Sequence, residues 1–313
     1  MIQRILQPGE IEALDQTAIP RIRLPERATV FAARAARLRK LADNNSIAGY
    51  LRLMATLVDA QHQTLTSYSS DGLAPAAIEQ AQVHSMPLAN AQTPERDPLW
   101  REVLRRLADH IDAAGAVSPM LGKLLDALRT MRDDELERAA DPVLALRLAE
   151  VDPATAPFLM AALQVVWTDI ACRLAVRDVP YLDTPGLCPV CGSLPVASVV
   201  RIGGQYQGYR FLQCGLCATE WHMVRVKCSH CDSTKGIAYH GIEGGGDVLK
   251  AESCDACHTY RKIGYQEKDY DFEPLADDLA SLTLDLLMSE AGYRRASPNP
   301  LLWPQSQADE VDT

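Results

Sequence analysis

No segment of this 313-residue chain approaches the ~20 consecutive apolar residues of a membrane-spanning helix. Its first residues, Met1-Ile-Gln-Arg-Ile-Leu-Gln-Pro8, lack the long apolar run and small-residue cleavage site of a secretory signal. These absences predict a cytoplasmic protein without membrane insertion. In a reducing cytosol, paired cysteines are metal ligands or redox centres rather than structural disulfides. Nor is there an excess of positive charge. Thirty-one Lys and Arg face 41 Asp and Glu, giving a net charge of -10 and a pI of about 5.2. A general nucleic-acid binder draws much of its affinity from basic residues that neutralise phosphates, so this balance argues against that class. Catalytic motifs are missing too. There is no GxSxG, no HExxH and no carboxylate dyad. Gly244-Gly245-Gly246 lacks the GxGxxG or GxxxxGK[ST] context and reads as a turn. Asp277-Asp278 opens a helix, where negative charge favours the dipole. No active site assembles, and the chain is expected not to be an enzyme.

The cysteines carry the positive signal. Eight of the nine stand in four CxxC pairs: Cys188/Cys191, Cys214/Cys217, Cys228/Cys231 and Cys254/Cys257. Adding forty to each position of the first two pairs gives the last two. The four pairs are therefore two copies of one module. A CxxC turn lets two thiolates converge on one ion with backbone amides facing the sulfurs. Two such turns brought together by a hairpin complete a tetrahedral shell suited to Zn²⁺ or to rubredoxin-like iron. The repeat favours Cys188, Cys191, Cys214 and Cys217 as one ligand set and Cys228, Cys231, Cys254 and Cys257 as the other. A crossed pairing of first and third turns remains geometrically open but breaks the repeat. Closed Cys₄ sites are usually structural, because metal binding can supply roughly 10–16 kcal/mol to a module with little core. Gly192, after the second cysteine of the first pair, relieves that turn. His230, inside the third pair, and His258, after the fourth, are read as solvent-facing beside filled shells. Cys172 is read as a buried thiol on a helical face with Phe158, Val165 and Val176. His222 is read as an ordinary strand residue.

The rest of the chain organises around these modules. With 47% hydrophobic residues, 313 positions can build two or three packed units. Phe31, Ala35, Leu38 and Ala42 share a helical face, with Arg34, Arg37 and Lys40 off it. Ile47, Leu51, Met54 and Val58 continue that spacing. Residues 69–98 read as a long loop with a short helix at 75–82. Asp97-Pro98, Asp141-Pro142 and Asp152-Pro153 carry the helix-start signature of Asp at N-cap and Pro at N1. Leu159, Leu163, Val166, Ile170 and Leu174 form the strongest apolar stripe. Six or seven helices in a bundle are expected. The cysteine region reads as strands at 196–202, 221–227, 237–242 and 248–251, each module being turn, hairpin, turn. Leu275, Leu279, Leu282 and Leu286 share one face of a single final helix, which Gly292 ends. That helix is expected to pack back on the bundle, and the acidic tail after Pro304 to be disordered. The predicted class is α+β: an N-terminal all-α domain over 1–182, rubredoxin-like or zinc-ribbon modules at 183–225 and 226–270, and a C-terminal helix and tail at 271–313.

A set of motifs adds a family. Leu187-Cys-Pro-Val-Cys-Gly-Ser-Leu-Pro195, Glu220-Trp-His-Met-Val-Arg-Val-Lys227 between two cysteine pairs, Ala251-Glu-Ser-Cys-Asp-Ala-Cys-His-Thr-Tyr260 and Tyr265-Gln-Glu-Lys-Asp269 resemble the formate dehydrogenase accessory protein family, FdhE. Asp277-Asp-Leu-Ala-Ser-Leu282 and Asn299-Pro-Leu301 extend the likeness. The resemblance implies a cytoplasmic accessory protein that contacts the catalytic subunit of respiratory formate dehydrogenase, a molybdenum or tungsten enzyme, before twin-arginine export. It implies metal-ligand roles for all eight paired cysteines, favours iron over zinc, and transfers no catalytic residue. Two other readings stay in view. One is a redox protein whose S₄ iron or free thiols pass electrons to the maturing enzyme. The other is a zinc-ribbon nucleic-acid binder using Arg225, Lys227 and Lys235 with Tyr206, Tyr209 and Trp221.

Overall fold

The computed structural model of the chain describes residues 19–93, 96–115 and 118–303. The first eight residues and the tail after Pro304, for which expectations were drawn above, lie outside the described residues. Seven α-helices precede the cysteine modules among the described residues: α1 Val30–Ala42, α2 Ala48–Ser67, α3 Pro75–Val83, α4 Trp100–Ala113, α5 Pro119–Thr130, α6 Asp133–Leu144 and α7 Ala156–Arg173. The predicted faces are the buried ones. Phe31, Ala35, Leu38 and Ala42 on α1 meet Leu51, Met54 and Val58 on α2. Helix α7 is buried on nearly every side, which is why its apolar stripe is so broad.

Two details of the helix reading change. Asp141-Pro142 does not start a helix but lies in the last turn of α6. That helix begins instead at Asp133-Asp134-Glu135, whose charges favour its N-terminus, and Glu135 Oε2 accepts from the Arg132 amide at 3.0 Å. Asp97 and Asp152 each accept from the amide two residues on, and their helices start later, at Trp100 and Ala156.

Among the described residues eight strands follow or flank: β1 Ile22–Arg23, β2 Pro195–Val200, β3 Arg210–Cys214, β4 Glu220–His222, β5 Ile237–His240, β6 Leu249–Cys254, β7 Thr259–Tyr265 and β8 Arg294–Arg295. They form one sheet ordered β1-β4-β3-β2-β7-β6-β5, with β8 beside β7. The two modules are thus not separate beads. Their antiparallel hairpins join through a parallel β2–β7 pair that sets Ser198 opposite Ile263 and Val199 opposite Gly264. Strand β1 extends the first module by pairing Ile22 with Trp221. The segment 221–227 is a strand only to His222. Beyond it Arg210 Nη1 donates to the carbonyls of Val224, Arg225 and Lys227 at 3.0–3.2 Å.

Core packing divides the modules unequally. Cys188, Val190, Cys191, Val196, Leu212, Cys214 and Leu216 belong to the same continuous apolar core as the helices. The second module has its own small cluster of Ala251, Tyr260, Leu284 and Met288. The single final helix is in fact two, α8 Pro274–Ala280 and α9 Leu282–Glu290, broken at Ser281. The break has a cause. Lys262 Nζ, buried on β7, takes the Asp278 and Ser281 carbonyls at 2.8 and 3.1 Å, which a continuous helix would use internally. Helix α8 packs Leu275 and Leu279 into the helical core. Helix α9 turns Leu284 and Met288 to the second module and leaves Leu286 exposed.

Arg34 and Arg37 of α1 were expected off the apolar face, yet both are buried. Arg34 pairs with Glu273 at 2.9 Å, and Arg37 chelates Asp277 at 2.6 and 2.8 Å. The chain after β7 therefore closes over α1 by charge as well as by apolar contact.

A close approach fixes that closure. A Cβ on Gly264 would stand 1.9 Å from the Phe272 ring, which fills a cluster with Val199 and Phe211. Gly264→Ala should therefore expel the ring and cost about 1–3 kcal/mol in denaturant unfolding. Gly49→Ala, with open space on α2, should cost nothing. Equal stability of the two variants would contradict this packing.

Candidate metal centres

Each cysteine pair sits at the end of a β-hairpin in a tight turn with one backbone plan. The Cys188 amide donates to the Ser193 carbonyl at 3.0 Å and the Gly192 amide to the Cys188 carbonyl at 2.8 Å. Forty residues on, the Cys228 amide donates to Ser233 at 2.8 Å and the Asp232 amide to Cys228 at 3.1 Å. The residue after each second cysteine has positive φ: Gly192 75°, Ala218 58°, Asp232 66° and His258 52°. Only Gly192 adopts this left-handed conformation freely; elsewhere it costs roughly 1–2 kcal/mol, which the rest of the turn must offset. The benefit is amide direction. Leu216 and Cys217 N–H donate to Cys214 Sγ at 3.3 and 3.4 Å, and His230 and Cys231 N–H to Cys228 Sγ at 3.4 and 3.5 Å. Thr219 and Thr259 hydroxyls lie 3.2 and 3.1 Å from Cys217 and Cys257 sulfurs.

The hairpins bring together the sequential sets and not the crossed ones. In each of the two groups of four, the sulfurs lie within 4.8 Å of one another. Cys188–Cys217 and Cys191–Cys214 are 3.5 and 3.3 Å apart, and Cys228–Cys257 and Cys231–Cys254 are 3.8 and 3.6 Å. A tetrahedral shell with ~2.3 Å metal–sulfur bonds sets its sulfurs roughly 3.8 Å apart, so both groups are of the right size for an ion at their centre. Charge points the same way. Burial and neighbouring sulfurs push the Cys188 and Cys217 thiols well up. Burial also opposes ionisation of Cys191, but hydrogen bonds from Cys188, Cys214 and Cys217 outweigh it and hold that thiol low. Four thiolates packed this closely repel one another, so a cation among them is what would let all four ionise.

The two groups differ in surroundings. All four sulfur residues of the first are buried. The segment 88–91 lies along its first turn, Ala89 and Ala91 amides donating to the Val190 and Cys191 carbonyls at 2.7 and 2.9 Å. Gln164 of α7 donates to the Gly215 carbonyl at 2.7 Å over the second turn. In the second group Cys231 is exposed and Cys257 half-buried. There burial pushes the Cys228 thiol up to about 12, whereas at Cys257 desolvation is outweighed by hydrogen bonds from Thr259, Cys231 and Cys254, which hold the thiol at about 7.

The remaining sequence candidates scatter. His230 and His258 are exposed, and His222 is a half-buried strand residue edge-on to Tyr209 and Phe211. Burial and the Arg210 charge hold His222 below its usual range. Cys172 is only half-buried on the α7 face it shares with Phe158 and Val165, and Val176 lies past the end of α7 and is exposed, so it is not part of that face. Burial still pushes its thiol up to about 11. Three of the residues suggested for nucleic acid are engaged within the fold. Trp221 is buried with its indole N–H on the Pro185 carbonyl at 2.8 Å, Tyr206 packs edge-on to Phe211, and Lys227 pairs with Asp232 at 2.6 Å.

What the sequence reading missed is the buried charge behind the second group. Asp278 has no exposed side-chain surface, pairs with Arg295, and accepts from Asn299 at 2.7 Å; Lys262 lies beside it at 3.7 Å. Arg261 is buried and reaches Ser229, inside the third turn, at 2.8 Å, and the Pro195 carbonyl of the other module. Arg210 pairs with Glu252 at 2.8 Å. The only sequence trace was the Asp277-Asp278 doublet, taken as a helix-dipole feature.

Comparison with known proteins places this arrangement. Residues 19–183 match the N-terminal domain model of FdhE, 187–225 its central domain and 226–302 its C-terminal domain. The chain belongs to the FdhE family. It is 40% identical over 309 residues to an FdhE homolog of Stutzerimonas stutzeri, covering 98% of this chain and 100% of that one. It is 38% identical over 305 residues to the Cronobacter sakazakii homolog, covering 96% and 98%. It is 39% identical over 297 residues to FdhE of Salmonella typhimurium, covering 95% of each. The crystal structure of the FdhE protein from Pseudomonas aeruginosa superposes with a TM-score of 0.80 at 37% identity, covering 91% of this chain and all of that one. The family expectation and the α+β architecture with two tandem Cys₄ modules both hold.

Proposed function

We propose that this chain is a non-enzymatic, metal-binding accessory protein of the cytoplasm. It binds the precursor of the formate dehydrogenase catalytic subunit and supports its maturation before twin-arginine export. The observation that carries this reading is the ordered match to all three FdhE domains in a chain whose eight paired cysteines converge in two clusters. Cys188, Cys191, Cys214 and Cys217 hold one ion, and Cys228, Cys231, Cys254 and Cys257 the other. Family likeness favours iron, and zinc fits the same S₄ shells. Bound ions supply folding energy by tying the two hairpin ends of each module together. The partners required by this reading are the dehydrogenase subunit and neither nucleic acid nor a lipid bilayer.

A strain lacking the chain should lose formate-dependent dye reduction and regain it when the chain is supplied in trans. The purified chain alone should reduce no dye with formate. Full dehydrogenase activity without the chain would contradict the proposal.

A further inference from the structure

The two copies of the module diverge most where they meet solvent. Superimposing them by the forty-residue offset sets Val190 against His230 and Ala218 against His258. It also sets Gly192 against Asp232 and Gly215 against Asp255. In the first copy Val190 and Ala218 are buried, and the four cysteines are closed in by segment 88–91 and α7. In the second, Cys231 is exposed, Cys257 is half-buried, and each adjoins an exposed histidine in sequence, His230 before Cys231 and Cys257 before His258. The more accessible thiols are thus the ones beside imidazoles, which bind the same ions as thiolates do.

We infer that the second cluster is a metal-exchange site and the first a permanent one, with His230 and His258 as entry and exit ligands. This rests on the metal-ligand reading above. The exchange is ligand substitution without redox change. With an ion held by the four cysteines, the accessible Cys231 and Cys257 sulfurs would be the ones an incoming nitrogen or sulfur chelate displaces, with His230 and His258, next to them in sequence, as alternative donors. Each freed thiolate takes a proton from water. The chemistry suits an acceptor or donor presenting thiolate or imidazole groups at its surface. The first cluster offers no comparable path, because the buried apolar side chains of Val190 and Ala218 stand at the histidine positions.

The full chain loaded with two equivalents of zinc is mixed with 4-(2-pyridylazo)resorcinol, and release is followed by visible absorbance. One equivalent should leave at least about ten-fold faster than the other. Cys231→Ser should abolish the fast phase alone. The double variant His230→Ala, His258→Ala, altering only exposed side chains, should slow the fast phase about three-fold or more and leave the slow phase unchanged. Two ions released at one rate would overturn the exchange site while leaving both metal centres standing. A fast phase unaffected by the histidine variant would overturn the ligand role of the histidines. A chain that binds no zinc or iron would remove this inference together with the metal reading beneath it.

Discussion

Cys191→Ser should leave one ion per chain and no cooperative thermal transition of the helical part. A closed S₄ site contributes roughly 10–16 kcal/mol, comparable to or above the ~5–15 kcal/mol total stability of an ordinary domain. Cys191 sits in the same apolar core as Leu163 and Val166 of α7, so loss of its ion opens that core from the side. Cys231→Ser should also lose one ion but keep the helical transition, because the second module packs through a separate small cluster. Metal analysis together with circular dichroism melts checks both. Unchanged melting of the Cys191→Ser protein would contradict the shared core, and loss of both ions in either variant would contradict independent sequential sites.

Asp278→Asn should destabilise the chain by about 3–5 kcal/mol, the usual consequence of leaving buried charges unpaired. Its carboxylate serves Arg295 and Asn299 directly and lies beside Lys262, which is itself buried. Burial opposes ionisation of Asp278, but attraction to Arg295 and Lys262 outweighs it and holds the carboxyl below its usual range. The sign of the pH effect follows. A group whose folded pKa is depressed contributes stability above its unfolded pKa, near 3.9, and loses it as pH falls through the folded value. The gap between wild type and variant should thus be full at neutral pH and shrink below about pH 4. Denaturant unfolding across that range measures it. A variant as stable as wild type at pH 7 would show that Asp285, which also meets Lys262 at 2.7 Å and Arg295 at 3.2 Å, suffices alone.

The readable parts of this molecule were those with local or repeated causes. The forty-residue offset made sequential cysteine groups the economical arrangement, and the hairpins bring together those groups. The faces of α1, α2 and α7 followed from 3.6-residue spacing. What escaped depended on distant partners. Strand β1 is two residues long and exists because Trp221 offers it an edge. The parallel β2–β7 join links strands more than sixty residues apart, and no local pattern announces it. Arg34 and Arg37 look like solvent-facing helix residues until Glu273 and Asp277 arrive more than two hundred residues later. The heptad-like leucines from 275 to 286 suggested one helix, and Lys262 divides it at Ser281. Asp141-Pro142 carried a start signal that the acidic residues at 133–135 overrode.

The central claim is that this chain acts by binding the dehydrogenase subunit. Anaerobic titration calorimetry of the metal-loaded chain against the purified cytoplasmic precursor of a formate dehydrogenase catalytic subunit tests it most directly. The account predicts saturable association at micromolar concentration or tighter. No heat and no complex, with both proteins folded and the chain carrying both ions, would contradict it.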